Sequence, residues 1–134
     1  MNAFQLVEQC YNHLPDNIKR EPWLLTDHGR KILTTEEELN AYIAAYGEMH
    51  IVKCRAALQN FPFDDIKNFS VEIFDWGCGQ GLACLTLIDM LYERGLLSCL
   101  KSIFLIEPSS HALNRAVTWV KQNVGPGINV IPIN

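Results

Sequence analysis

Val71-Glu72-Ile73-Phe74-Asp75-Trp76-Gly77-Cys78-Gly79-Gln80-Gly81 is the stretch on which the reading of this chain turns. An apolar, strand-like run ends in an acidic residue, and three glycines then alternate with other residues. A helix-compatible apolar run from Leu82 to Leu91 follows at once. Glycine belongs where the backbone turns sharply or a ligand comes close, because it has no Cβ to clash. A helix that begins there aims unpaired N–H groups at whatever lies over the turn. The stretch therefore predicts strand, ligand-binding turn and helix in succession. A plain strand-to-helix corner without a ligand would use the same glycines.

A second stretch adds to the first. Lys101-Ser102-Ile103-Phe104-Leu105-Ile106-Glu107 is a short apolar run bounded by polar residues, which predicts a buried strand. Pro108-Ser109-Ser110 then open a helix, with serine as its N-cap. In dinucleotide-binding units an acidic residue at the end of the second strand accepts hydrogen bonds from ribose hydroxyls, usually roughly 20 residues past the glycines. Glu107 comes slightly later, and a long first helix plus the Gly95–Leu100 segment accounts for the surplus. A glutamate at a helix N-terminus also suits the helix dipole, so Glu107 has an ordinary structural use as well.

The remaining elements follow from periodicity. Phe4, Leu6, Val7, Cys10, Tyr11 and Leu14 have helical spacing, and Pro15 ends that helix. Residues 16–33 read as irregular or weakly extended, with Pro22 and an Asp27-His28-Gly29 turn signal. Thr35 with Glu38 forms a capping box that starts a long helix to about Asn60. Its expected buried side is Leu39, Ile43, Tyr46, Met49, Ile51, Cys54 and Leu58. After Phe61-Pro62 come strand 71–75, helix 82–94, strand 102–107, helix 109–123 and strand 128–133. Right-handed crossovers make such a βαβαβ unit a parallel sheet in the order 3-2-1. The fold class is α/β: a helical N-terminal segment, residues 1–65, then a partial α/β domain, residues 66–134.

Composition narrows the function classes. The chain has 134 residues, 49% of them apolar, which suits one packed globule rather than disorder. Fifteen acidic against eleven basic residues give a net charge of −4, so no strong nucleic-acid footprint is present in this portion. No run approaches the length of a membrane span, and no signal peptide is evident at Met1-Asn2-Ala3-Phe4. Five cysteines without a C-x-x-C pair, and four scattered histidines, argue against disulfides and a metal site and for a reducing cytoplasm. Cys78 is the cysteine placed to be exposed, in the glycine turn, but no activating neighbour makes it a nucleophile.

The glycine spacing separates two cofactor classes. The dinucleotide fingerprint is G-x-G-x-x-G, whereas Gly77, Gly79 and Gly81 form G-x-G-x-G with Asp75 two residues before the first. This acidic-x-G-x-G-x-G pattern resembles motif I of the class I S-adenosylmethionine-dependent methyltransferases. The resemblance covers residues 71 to 134, the first half of that Rossmann-like core, and implies a truncated parallel sheet. It implies S-adenosyl-L-methionine as cofactor, held by Asp75, Gly77, Cys78, Gly79, Gly81, Glu107 and Pro108, with Glu107 on the ribose. It leaves the catalytic residues and the methyl acceptor, RNA among the candidates, undefined, because the family's motif IV and later strands have no counterpart here. The isolated chain is accordingly expected to have little or no transferase activity. A shorter similarity, over Tyr42-Ile43-Ala44-Ala45-Tyr46, Met49-His50, Arg55-Ala56-Ala57-Leu58 and Glu107-Pro108-Ser109, links the chain to a methyltransferase-like family associated with small-ribosomal-subunit assembly.

Two other classes compete: a non-catalytic binding module that keeps the fold, and a fragment of an NAD(P)-dependent oxidoreductase, which the glycine spacing disfavours. Trp76 is expected either beside the methionine end of the cofactor or buried against the following helix, and Tyr92 and Trp119 in helix packing. His50, on the long helix ahead of the turn, is the histidine to test. In the family fold strand 71–75 is interior. Here it is expected at an edge, where it either pairs with a second copy of the chain or is covered by the N-terminal segment, with self-association favoured.

Overall fold

A computed structural model describes residues 1–134. Helices α1 (Ala3–Asn12), α2 (Asp16–Lys19), α3 (Pro22–Leu25) and α4 (Glu36–Leu58) precede the sheet. Strand β1 (Val71–Trp76), helix α5 (Leu82–Glu93), strand β2 (Leu100–Ile106), helix α6 (Ser110–Val124) and strand β3 (Asn129–Ile133) complete the chain. The three strands are parallel in the order β1-β2-β3, which is the expected 3-2-1 order read from the opposite edge.

Both crossovers step across the sheet in the same direction. Right-handed connections therefore place α5 and α6 on one face, where they touch each other and the strands they join. Ile73, Ile103 and Leu105 are buried on that side. The alternate positions face the other way, because side chains alternate along a strand. Phe74 stacks on its register partner Phe104 there, with ring centroids 4.4 Å apart and planes 4° from parallel. Trp76, at 77% exposure, stands on the same uncovered face. It is not buried against α5, because its parity on β1 is that of Phe74.

The N-terminal helices pack on the outer side of α5 rather than pairing with the free edge of β1. Ala3 N–H donates to the Asp89 carboxylate on α5 at 2.8 Å, and Arg55 on α4 makes a two-pronged ion pair with Glu93 at 3.1 and 2.6 Å. Gly47 lets α1 and α4 approach closely: a Cβ at this position would lie 2.7 Å from Val7 Cγ2. Ala3, Leu6, Ile43 and Ile51 join the strand and α5 side chains in one continuous core. Residues 1–65 and 66–134 thus share a hydrophobic interior.

The caps follow the sequence. Asn2 and Gln5 form a capping box on α1, Thr35 and Glu38 one on α4, and Ser109 caps α6. Lys31 reaches Glu38 as well. Its hydrogen bond, with those of the Thr34 and Thr35 N–H groups, holds the Glu38 carboxyl down at about 2.

Three expectations need correction. Residues 16–33 are not extended: α2, α3 and a 3-10 turn at Asp27–Gly29 fill most of the segment. Pro22 sits at the first position of α3, where its fixed φ favours helix, but a single turn is too short to show a period. On α4, Met49 is exposed and Tyr46, Cys54 and Leu58 are only half-buried, since α1, α3 and α5 approach this helix from different directions. Tyr92, at 74% exposure, points to solvent near the end of α5. Trp119 is half-buried, beneath the Arg115 guanidinium.

Two glycines give a paired test of the fold. Gly81 (φ +82°) begins α5 against α6, and a Cβ there would lie 3.0 Å from Ala116 Cβ and 3.2 Å from its Cα. Gly95 (φ +69°) follows α5 in open space. Gly95→Ala meets only the left-handed backbone penalty and should destabilise by about 1–2 kcal/mol. Gly81→Ala adds an overpacking cost of about 1–3 kcal/mol. Denaturant melts of the two variants should show Gly81→Ala as the more damaging, and equal midpoints would refute the α5–α6 contact.

Candidate functional site

The turn between β1 and α5 is built from left-handed glycines. Gly77, Gly79 and Gly81 have φ of +67°, +53° and +82°. The turn is anchored to the end of β2, because the N–H groups of Gly77 and Cys78 both donate to Ile106 C=O, at 2.8 and 3.1 Å. The three glycines divide the work. A Cβ at Gly77 or Gly79 would meet nothing within 4 Å, so these two present bare backbone to open space. Gly81 instead serves the close approach of α5 to α6.

Above the turn lies a cleft of about 430 Å³ between the glycines and α4. Asp75, Gly77 and Gly79 form its floor, and Tyr42, His50 and Lys53 of α4 its wall. Cys78 and Gln80 also border it. The helix α5 begins at its edge with no side chain capping its first N–H groups, as Gly81 is the N-cap.

Glu107 does not line this cleft but is bonded to its glycine floor. One carboxylate oxygen accepts from Gly79 N–H at 3.0 Å and the other from Ser109 N–H at 2.9 Å. The acidic residue just past β2 thus touches the glycine turn that follows β1, in the crevice at the carboxyl ends of adjacent parallel strands. Pro108 follows on the surface. Its carbonyl, like that of Glu107, accepts from the Asn134 amide.

Asp75 is the electrostatically unusual group. Its Oδ2 is shut off from solvent without a hydrogen-bond partner. Burial pushes its carboxyl above the ordinary range, and the Cys84 backbone N–H opposes this only in part. A buried carboxylate with an unused acceptor is costly unless a donor or cation completes it. Cys78 behaves differently from its expected exposure. Its side chain is buried, and burial, followed by the charges of Asp75 and Glu107, pushes the thiol up to about 12. It is a packing residue rather than a nucleophile.

The structure therefore brings Asp75, Gly77, Cys78, Gly79 and Glu107 together around one turn, with Gly81 behind it and Pro108 at its outer edge. Tyr42 and Lys53 were not among the residues expected at the site. The signal was available: Tyr42, Tyr46, His50 and Lys53 recur at intervals of four, four and three residues, one stripe of a helix.

No protein-family model, curated protein or solved structure matches the chain. No helix is long and apolar enough to cross a membrane.

Asp75 yields a pH-dependent prediction. Its folded pKa is raised, so the unfolded chain ionises first, and the folded state loses stability as pH rises from the ordinary aspartate value through the raised one. At neutral pH, above the ordinary aspartate value, the penalty acts. Asp75→Asn removes it and should raise the melting temperature of the unliganded chain at pH 7 by a few degrees. That gain should shrink as pH falls below the ordinary aspartate range. A variant that melts lower than the parent at pH 7 would show that the carboxylate is satisfied.

Proposed function

We propose that this chain is the cofactor-binding portion of a class I S-adenosylmethionine-dependent methyltransferase. The observation that carries the reading is the junction of Gly79 with Glu107. A bare left-handed glycine and a ribose-type acidic acceptor meet at the ends of neighbouring parallel strands. A ligand crossing that junction needs a face thin enough to lie on the glycines and hydroxyls to donate to a carboxylate, which describes an adenosine.

The residues present fit the rest of such a ligand. Gly77 and Gly79 leave space that any Cβ would take. Asp75, on the cleft floor, offers negative charge to an ammonium- or sulfonium-bearing end, and Lys53 offers a donor to a carboxylate. The first N–H groups of α5 add a partial positive charge at the same edge. When bound, the cofactor supplies an electrophilic methyl group; the chain's own part is to orient it and exclude water on the α4 side. His50 and Tyr42 border the cleft where an acceptor group would have to be steered. The identity of the acceptor, with RNA among the candidates, belongs to this proposal and not to the geometry. So does a cytoplasmic location.

Calorimetric titration with S-adenosylhomocysteine, S-adenosylmethionine and NAD tests the reading. The sulfur ligands should bind and NAD should not. Gly79→Val should abolish binding and Glu107→Ala should weaken it several-fold. Preference for NAD would favour the oxidoreductase fragment, and silence toward all three a non-catalytic module.

A further inference from the structure

Gln80 separates the two open-side glycines from Gly81, yet its own side chain turns inward and is buried. Its amide donates to Leu39 C=O on α4 at 3.1 Å, and its Oε1 accepts from Arg115 Nη1 on α6 at 3.1 Å. The same Nη1 donates to Asn40 Oδ1 at 2.8 Å, while Nη2 reaches the Glu36 backbone carbonyl at 3.4 Å and pairs with the Glu36 carboxylate. The Arg115 side chain is 8% exposed, and its guanidinium lies 5.0 Å from the Trp119 ring centre. Arg115 does not border the cleft above the glycines. It borders a second cleft of about 430 Å³, between α1, α4 and α6.

We infer that Arg115 is a positioning residue for the cofactor turn, acting through Gln80. This inference rests on the cofactor reading for its ligand, and on the geometry alone for its effect on the turn. A loop with three left-handed glycines has more backbone freedom to lose than any other segment of its length. Gln80 is the turn's link to both α4 and α6, so its side chain restricts that freedom before a ligand arrives. Preorganisation of this kind appears as affinity, since the ordering cost is met on folding instead of on binding. The work requires arginine. A planar fork can serve Gln80, Asn40 and Glu36 at once, which a lysine ammonium on a flexible stem cannot do in the same geometry. The Glu36 carboxylate, itself 79% exposed, balances the buried charge at the rim of the second cleft.

The test uses the full chain and four variants: Gln80→Ala, Asn40→Ala, Arg115→Met and the Gln80→Ala/Arg115→Met double. Amide hydrogen exchange is followed at Gly79 and Gly81 and, as an internal reference, at Ile103 and Leu105 in β2. Gln80→Ala and Arg115→Met should each speed exchange at the turn by about tenfold or more with the β2 amides unchanged, and the double should be no faster than the quicker single. S-adenosylhomocysteine affinity should fall by about tenfold in the same variants and show the same non-additivity. Asn40→Ala, which leaves the Gln80–Arg115 bond in place, should have a smaller effect on both readings. If Arg115→Met does not fold, the comparison of Gln80→Ala with Asn40→Ala still decides. Unchanged exchange at the turn in Gln80→Ala, or equal acceleration at the turn and in β2, would overturn the positioning role. A parent chain that binds no S-adenosylhomocysteine but shows the exchange pattern would refute the cofactor reading and leave the positioning role standing.

Discussion

Between Trp76 and Leu82 the chain must leave a parallel strand and enter a helix that packs back on the same sheet. Only a left-handed backbone makes that corner so short, and glycine is the residue that adopts it without strain. The rest of the site depends on this constraint. Because Gly77 and Gly79 turn upward without side chains, the strand ends are bare. Because Gly81 is equally small, α5 can settle against Ala116 of α6. Because the corner is tight, Asp75 is drawn under the start of α5 and loses its water.

The energetic character of the site follows. A buried carboxylate with an unused acceptor, an uncapped helix start and exposed left-handed backbone each cost stability in the unliganded chain. Their combination at one crevice is the pattern expected where binding, rather than folding, is served. The costs are offset by ordinary means elsewhere. Ile103 and Leu105 are fully buried, the N-terminal helices seal the outer side of α5, and capping boxes fix both long-range helices of that segment.

The features that were legible in the sequence are those encoded within a few residues. The glycine turn, the carboxyl ends of β1 and β2 to within one residue, the Thr35–Glu38 box and the Ser109 cap all have local signatures, and the structure contains each of them. What was not legible depends on partners far away along the chain. Arg115 meets Glu36 and Asn40 of α4, and nothing in its immediate neighbourhood announces a buried charge. Met49 follows a helical period yet lies exposed, because α4 is packed from several directions and has no single buried side. Trp76 was ambiguous for a different reason. One residue of register decides which face of β1 it joins, and the uncovered face is visible only once both crossovers are placed.

The proposed function requires an adenosine ligand to seat on Gly77 and Gly79 and draw Glu107 to its ribose. A crystal structure of the chain with S-adenosylhomocysteine measures this most directly. The adenosine should lie over the two glycines, with the Glu107 carboxylate turned from Gly79 N–H to both ribose hydroxyls. A ligand seated instead in the cleft between α1, α4 and α6, or Glu107 still bonded to Gly79 beneath it, would rule out adenosine binding at the glycine turn.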